Sequence, residues 1–399
     1  MILKRTHTLA AMLCAAIMAV AQPLQRVSPE EVGLDAARLA NADAAIEAAI
    51  SKEYIPGAVL AVVRHGKMAY LKAYGNKRVV PKKEKMTTST VFDMASCSKS
   101  MSTAVSAMIL AEQGRIRLLD RVDAYIPGFS NWKDADGEET SIRIIDLMTH
   151  TSGLPPYADA AMLKEKYGAP NPDALIDYIC HCRRDFAPTS DMQYSCLNYI
   201  TLQRIIEKVS GQSLRDFAKQ HIFSPLGMTH TDYNPSPELA RLCAPTEKLA
   251  DGTILQGVVH DPLARIMNGG ISGNAGVFST ADDVALLCAA LQNSGEWNGH
   301  RILGPLTVEA MRTVPRRVAT LGRTPGWDVF SPYASNVGDL LSSQAYGHTG
   351  FTGTSIVIDP VNDVSIILLT NSVHPTGKGN CVALRSYVAN AVAGAIIAR

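Results

Sequence analysis

The stretch Val91-Phe92-Asp93-Met94-Ala95-Ser96-Cys97-Ser98-Lys99-Ser100-Met101 sets a serine and a lysine three residues apart. Helix-compatible residues continue from there through Ala104, Ala107 and Leu110. Residues three apart on a helix share a face, so the Ser96 hydroxyl and the Lys99 amine can meet. A serine hydroxyl is a weak nucleophile until a neighbouring base takes its proton. Lysine is such a base when burial or a nearby cation lowers its pKa. A serine near a helix N-terminus also has backbone N–H groups where an oxyanion develops. The chemistry in view is acyl transfer through a serine ester. Two later segments fit beside it. Gln193-Tyr194-Ser195-Cys196 opens a helical stripe, and Tyr346-Gly347-His348-Thr349-Gly350-Phe351-Thr352-Gly353 is small enough to let a substrate backbone approach.

Other reactive residues read as bland. A second Ser-x-x-Lys, Ser130-Asn131-Trp132-Lys133, lies in a polar loop after Pro127-Gly128 and reads as a chance match. Cys180-His181-Cys182 has no second ligand pair at zinc-like spacing, so it reads as a helix end and a zinc enzyme built on it ranks last. Cys97 and Cys196 flank the reactive positions but read as small, buried space-fillers. There is no Gly-x-Ser-x-Gly elbow, no His-Glu-x-x-His and no phosphate-cradling loop. His260-Asp261 is therefore not read as part of a Ser-His-Asp triad. No metal or cofactor is called for.

The elements that must position these residues follow from periodicity and punctuation. Leu39, Ala42, Ile46 and Ile50 have helical spacing within Asp35 to Ile50, and Pro56-Gly57 follows. Ala58–Val63 and Met68–Ala73 are β-rich runs around His65-Gly66-Lys67, a hairpin signal. Ser355–Ile358 and Val364–Leu369 form a second strand pair, and a helix spans about Val382 to Ile397. In the middle, Leu202, Ile205, Ile206 and Val209 form a helical stripe that stops at Gly211. Val284, Leu287, Cys288 and Leu291 form another, opened by a Ser279/Thr280 cap with Asp282 and Asp283 in its first turn. The spacing thus predicts an α/β lobe built from both ends of the chain (about 22–125 and 300–399). A helical lobe (about 126–299) is inserted in it, with a ligand crevice between the two.

The chain has 399 residues, 47% apolar and 19% charged, enough for one large domain or two lobes. A formal net charge of +1 gives no footprint for nucleic acid or an anionic membrane. Lys4 and Arg5 precede an apolar run from Leu9 to Val20 that ends in Ala19-Val20-Ala21. This is the pattern of a secretory signal peptide, residues 1–21 with cleavage near Ala21. The reading is a periplasmic or secreted protein with no stable membrane insertion and no assigned oligomeric state. Beyond residue 21 the cysteines number seven, at irregular spacing, and predict no disulfide framework.

In order, separation and flanks, Ser96-x-x-Lys99, Tyr194-x-Cys196 and His348-Thr349-Gly350 resemble the three signatures of the serine β-lactamase and penicillin-binding protein superfamily. The similarity extends over nearly the whole chain beyond residue 21. It includes Ile55-Pro56-Gly57-Ala58, Thr149 to Leu154, and Gly269-Gly270 through Thr280. The resemblance implies a β-lactamase/transpeptidase-like fold, an antiparallel sheet flanked by helices with an inserted all-helical lobe. It implies Ser96 as nucleophile and Lys99 as its base, or as the partner that keeps the base deprotonated. Tyr194 would move the proton to the leaving group. The N–H groups of Ser96 and Phe351 would form the oxyanion hole, and His348, Thr349 and Gly350 would hold the substrate's polar end. His150, His260-Asp261 and Asn274 lie in similar stretches as structural or cleft-lining residues. Two departures bear on substrate. Cys196 replaces the usual Asn and is a poor hydrogen-bond donor, which argues against efficient β-lactam hydrolysis. His348 replaces Lys and is a cation only near and below about 6.5. The function implied is acyl-enzyme hydrolysis of a small ester or amide. A D-amino-acid or peptidoglycan peptidase, a weak β-lactamase, and a penicillin-binding sensor without turnover are the alternatives.

Overall fold

The computed structural model describes residues 22–397; the 1–21 leader reading falls outside them. Helix α1 (Ala36–Ser51) starts at Asp35, whose side chain accepts from the Arg38 N–H. Strands β1 (Gly57–Arg64), β2 (Lys67–Arg78) and β3 (Glu84–Lys85) follow. Next come β4 (Phe92–Asp93) and then helix α2 (Val105–Glu112), which is preceded by a wide π-helical segment, Lys99–Ala104. Helix α3 (Cys196–Ser210) ends at Gly211, whose φ of 76° is the left-handed cap conformation glycine adopts without strain. Short strands β5 (Asp232–Tyr233) and β6 (Val277–Ser279) lead to α4 (Ala281–Gln292), where Thr280 caps the Asp283 N–H. Strands β7 (Tyr346–Thr349), β8 (Ser355–Asp359) and β9 (Val364–Thr370) and helix α5 (Val382–Gly394) are the last elements that bear on the site, and shorter helices and two small hairpins lie between those named.

The main sheet has the order β7-β8-β9-β1-β2-β3 and is antiparallel throughout. Strand β1 is buried along its whole length, so its alternate residues serve two cores. Ala58, Leu60 and Val62 pack under α1 and α5, with Ile366 and Leu368 of β9. Val59, Ala61 and Val63 face the opposite way, into a core shared with α2, α3 and α4. A second small sheet, β4-β6-β5, ties the segment before Ser96 to the segment before α4.

The antiparallel sheet with helices on both faces matches the fold expected from the sequence. One placement differs from the lobe limits drawn there. Helix α4 lies within 126–299 yet packs on β1 and β9. Ten of its twelve residues are buried, so its stripe marks no single face and its neighbours could not be read from spacing.

Candidate active site

Ser96 stands in the turn between β4 and the helix that carries Lys99. The turn is held from below. Asp93 Oδ1 accepts the Ala95 N–H at 2.9 Å and Asp93 Oδ2 the His260 N–H at 2.7 Å. Ala95 itself has φ 46°, a left-handed conformation that costs a non-glycine residue about 1–2 kcal/mol. That strain is absorbed by the surrounding hydrogen bonds. Thr354 Oγ1 donates to Met94 O at 3.0 Å, and Ser98 Oγ accepts the Val277 N–H at 3.0 Å. The turn is thereby fastened to both β7–β8 and β6.

Lys99 is fully buried, and its Nζ lies 3.1 Å from Ser96 Oγ. It also donates to Asn274 O at 2.8 Å and approaches Cys196 Sγ at 3.6 Å. Burial disfavours its ammonium, but the neighbouring Cys196, Tyr194 and Asp261 outweigh this and hold its pKa above the ordinary lysine value. Burial also pushes the Cys196 thiol and the Tyr194 phenol up, so both hold their protons near pH 7.

Tyr194 sits just before α3. Its ring packs 4.4 Å from His150 and 5.3 Å from Tyr333, with Lys99 Nζ 5.0 Å from its centre. Its Oη is buried without a hydrogen-bond partner among the described residues, and it interacts electrostatically with Lys99 and Ser96. His150 fixes the approach. Its Nδ1 accepts the Ser195 N–H at 3.1 Å, and burial keeps its imidazole well below the ordinary value, hence neutral.

On the opposite wall, His348 Nδ1 donates to Thr349 O at 2.8 Å, and its Nε2 has no partner among the described residues. Burial, with Arg323 and Lys99 adding to it, holds this imidazole well below 6.5. The expectation of a histidine cation near and below about 6.5 is therefore corrected: His348 is neutral across the mildly acidic range. A permanent cation on this side of the cleft, beside Tyr194, is Arg323. It is only 3% exposed, pairs with Asp328 at 3.1 Å, and keeps a buried Nε with no partner among the described residues.

Ser96, Tyr194, His348, Thr349, Gly350, Phe351, Arg323 and Arg385 line one cleft of about 650 Å3. Cys196 lies behind it, against Lys99. Phe351 is 68% exposed at the mouth and stacks on His260, and neither its N–H nor that of Ser96 donates to an acceptor among the described residues. Gly350 is required by space, because a Cβ there would overlap Thr354 Oγ1 and come 2.6 Å from Met94 O.

The other sequence candidates fall elsewhere. His260 Nε2 lies 3.1 Å from Glu247 and Asp261 accepts from Tyr157 at 3.0 Å, so they build no triad with Ser96. Lys133 pairs with Glu139 on a surface hairpin. His181 pairs with Asp177 at the end of a helix, and Cys182 lies 3.2 Å from Arg184 Nη1. Among the described residues no three His, Cys, Asp or Glu side chains are placed to hold a metal ion. Sequence reasoning missed Arg323 and Arg385. Arg323 stands between Gly322 and Thr324-Pro325-Gly326, where no periodicity marks it, and Arg385 looks like any long polar residue of a terminal helix.

The family model described as Beta-lactamase matches residues 42–385. The chain is 32% identical over 401 residues to a protein of Escherichia coli (strain K12) provisionally named D-alanyl-D-alanine carboxypeptidase, with 93% of this chain and 92% of that one covered. It is 33% identical to the N-acetylmuramyl-L-alanine amidase of Bacillus subtilis (strain 168), over 87% of this chain and 84% of that one. Among solved structures, EstCE1, a hydrolase with promiscuous acyltransferase activity, superposes with TM-score 0.70 at 24% identity, covering 90% of this chain and 99% of its own. A match over most of the length, joined to full-length relatives at this identity, settles the kinship: the chain belongs to the beta-lactamase family of serine hydrolases.

Proposed function

We propose that this serine hydrolase is an exported peptidase that removes a C-terminal residue from peptidoglycan-type peptides through a Ser96 acyl-enzyme. Ser96 Oγ attacks the scissile carbonyl carbon while the deprotonated form of Lys99 takes its proton. The carbonyl oxygen becomes an oxyanion facing the N–H groups of Ser96 and Phe351. Tyr194 Oη then passes a proton to the leaving amine and recovers one from Lys99. The C–N bond breaks, and water attacks the ester by the same route in reverse. Tyr194 suits the middle step because its hydroxyl is neutral, buried, unpaired and next to both proton carriers.

The observation that carries the substrate reading is Arg323. A buried, permanently charged guanidinium with a free N–H beside Tyr194 and His348 fits a substrate carboxylate, and His348 cannot supply that charge. The names of the two relatives, a carboxypeptidase and a cell-wall amidase, support the same class, as does the leader-like sequence at residues 1–21. No helix among the described residues is long and apolar enough to cross a membrane. The second reading, a small-ester hydrolase, is favoured by Cys196, which offers an amide substrate no strong donor.

The test uses diacetyl-L-lysyl-D-alanyl-D-alanine and its C-terminal amide, with D-alanine or D-alaninamide release followed by chromatography. The free acid is expected to be the better substrate, and Arg323→Gln to erase that preference by lowering kcat/KM for the acid about 10–100-fold. Ser96→Ala should abolish turnover of both. Equal turnover of acid and amide by the parent protein would overturn the carboxylate reading and leave esters as the substrates to screen. A Ser96-dependent mass adduct with penicillin would support the peptidase, and its absence would count against it.

A further inference from the structure

Arg385 lies near the start of α5, the helix that covers the sheet face away from α2, yet its side chain reaches the cleft wall. It is 7% exposed. Its Nη2 donates to Gly350 O at 2.7 Å and to Thr354 O at 3.2 Å. The Gly353 N–H reaches the same Gly350 oxygen at 3.0 Å, so both of its lone pairs are engaged. Gly350 O and the Phe351 N–H belong to one planar trans peptide, in which the two groups point in opposite directions. Holding the oxygen on Arg385 therefore turns the Phe351 N–H away from the guanidinium. Next to this peptide stands the nucleophile turn, since a Cβ added at Gly350 would come 2.6 Å from Met94 O and 3.3 Å from Ala95 Cβ.

We infer that Arg385 is a positioning residue for acyl transfer: it locks the Gly350–Phe351 peptide so that the Phe351 N–H stays aimed at the developing oxyanion. The inference rests on the Ser96 acyl-enzyme reading above. Two physical effects support it. Gly350 has no Cβ to restrain its ψ, so rotation of the following peptide is cheap unless something grips its oxygen. A cationic donor on the carbonyl also polarises the amide and strengthens the N–H at its other end, in a site where burial enlarges such effects. Losing one oxyanion donor outright costs about 10²–10³ in kcat. Because Gly353 remains in place, loss of Arg385 is expected to cost less.

Arg385→Met keeps the apolar stem and removes the donors, whereas Arg385→Lys keeps a charge that reaches one carbonyl. Each would be measured for hydrolysis of p-nitrophenyl butyrate, for binding of phenylboronic acid, which forms a tetrahedral adduct on an active serine, and for Tm. Arg385→Met is expected to lower kcat about 10–100-fold with KM within about twofold, and to weaken phenylboronate binding by a similar factor. Arg385→Lys should recover most of both, and free methylguanidine should partly restore the Met variant. The inference is overturned if Arg385→Met keeps kcat and boronate affinity. It is also overturned if its loss lies in KM alone, or if Arg385→Lys fails to recover function at a Tm equal to the parent. Ser96→Ala separates the two levels. If that variant still hydrolyses the ester and binds the boronate, the acyl-enzyme reading itself fails and takes this one with it.

Discussion

One methyl group added at Gly350 should part the nucleophile from its oxyanion donor. Built on the existing backbone, that Cβ overlaps Thr354 Oγ1 and stands 2.6 Å from Met94 O and 3.3 Å from Ala95 Cβ. Thr354 can rotate away, but only by giving up its 3.0 Å hydrogen bond to Met94 O. Met94 O is main chain, and moving it the roughly half an ångström needed for van der Waals contact displaces the Ala95-Ser96 turn as well. Overpacking of this kind costs about 1–3 kcal/mol of stability. A catalytic group misplaced by about 1 Å loses about a hundredfold in rate. Gly350→Ala is therefore expected to lose about 10–100-fold in kcat/KM for a Ser96-dependent ester, with a Tm reduced by a few degrees. Adding Thr354→Ala removes the side-chain overlap and leaves the main-chain one, so Tm should recover while turnover does not. Full activity at unchanged Tm in Gly350→Ala, or full recovery of turnover in the double variant, would refute the reasoning.

Two further outcomes follow from buried groups. His150 and His348 are held below 6.5 by burial, so the folded state binds fewer protons than the unfolded one. Stability should then fall as pH drops below about 6.5, by up to about 1.4 kcal/mol per pH unit for each histidine. Asp146, pushed up to about 6, acts with the opposite sign, so the measurement is the difference in urea midpoint between the parent and His348→Gln from pH 7.5 to 5. Parallel curves would contradict the assignment of His348. Burial also pushes the Cys97 thiol up to about 11 and Cys243 and Cys288 up to about 12, and all seven cysteines of the described residues are free. Iodoacetamide at pH 8 should leave these three unmodified in the folded protein, and dithiothreitol should not shift Tm. Rapid alkylation of Cys97, read by peptide mass, would contradict that burial.

What the sequence revealed and what it hid differ in physical kind. The first hairpin and the two late strands were legible because short runs dense in apolar β-formers, such as Ala58–Val63 and Val364–Leu369, lie between turn residues and have little choice but a buried sheet. Helix α1 showed its core face through Leu39, Ala42 and Ile46, and α4 showed its cap at Thr280. The strands β4, β5 and β6 were invisible, since two or three residues carry no period. The pairing of Ser96 with Lys99 follows from helical spacing, and the arrival of Tyr194 and His348 on either side of it was implied by resemblance. The two arginines and the unpaired state of Tyr194 Oη were not legible. They depend on which loops meet, and a single charged residue in a loop or a terminal helix leaves no trace in spacing.

The centre of the main sheet is the pair β1–β9, in which Ala58 faces Thr370 across more than three hundred residues of intervening chain. Until Val364–Thr370 has been made, β1 has only the β2 hairpin beside it, and an isolated two-stranded hairpin is marginal in water. The sheet therefore cannot close during most of synthesis, and its assembly must wait on the slow formation of long-range contacts. A chain shortened before residue 364 would leave the Ala58–Arg64 edge of β1 unpaired and the core under α1 without β9 and α5, the condition that favours aggregation over folding.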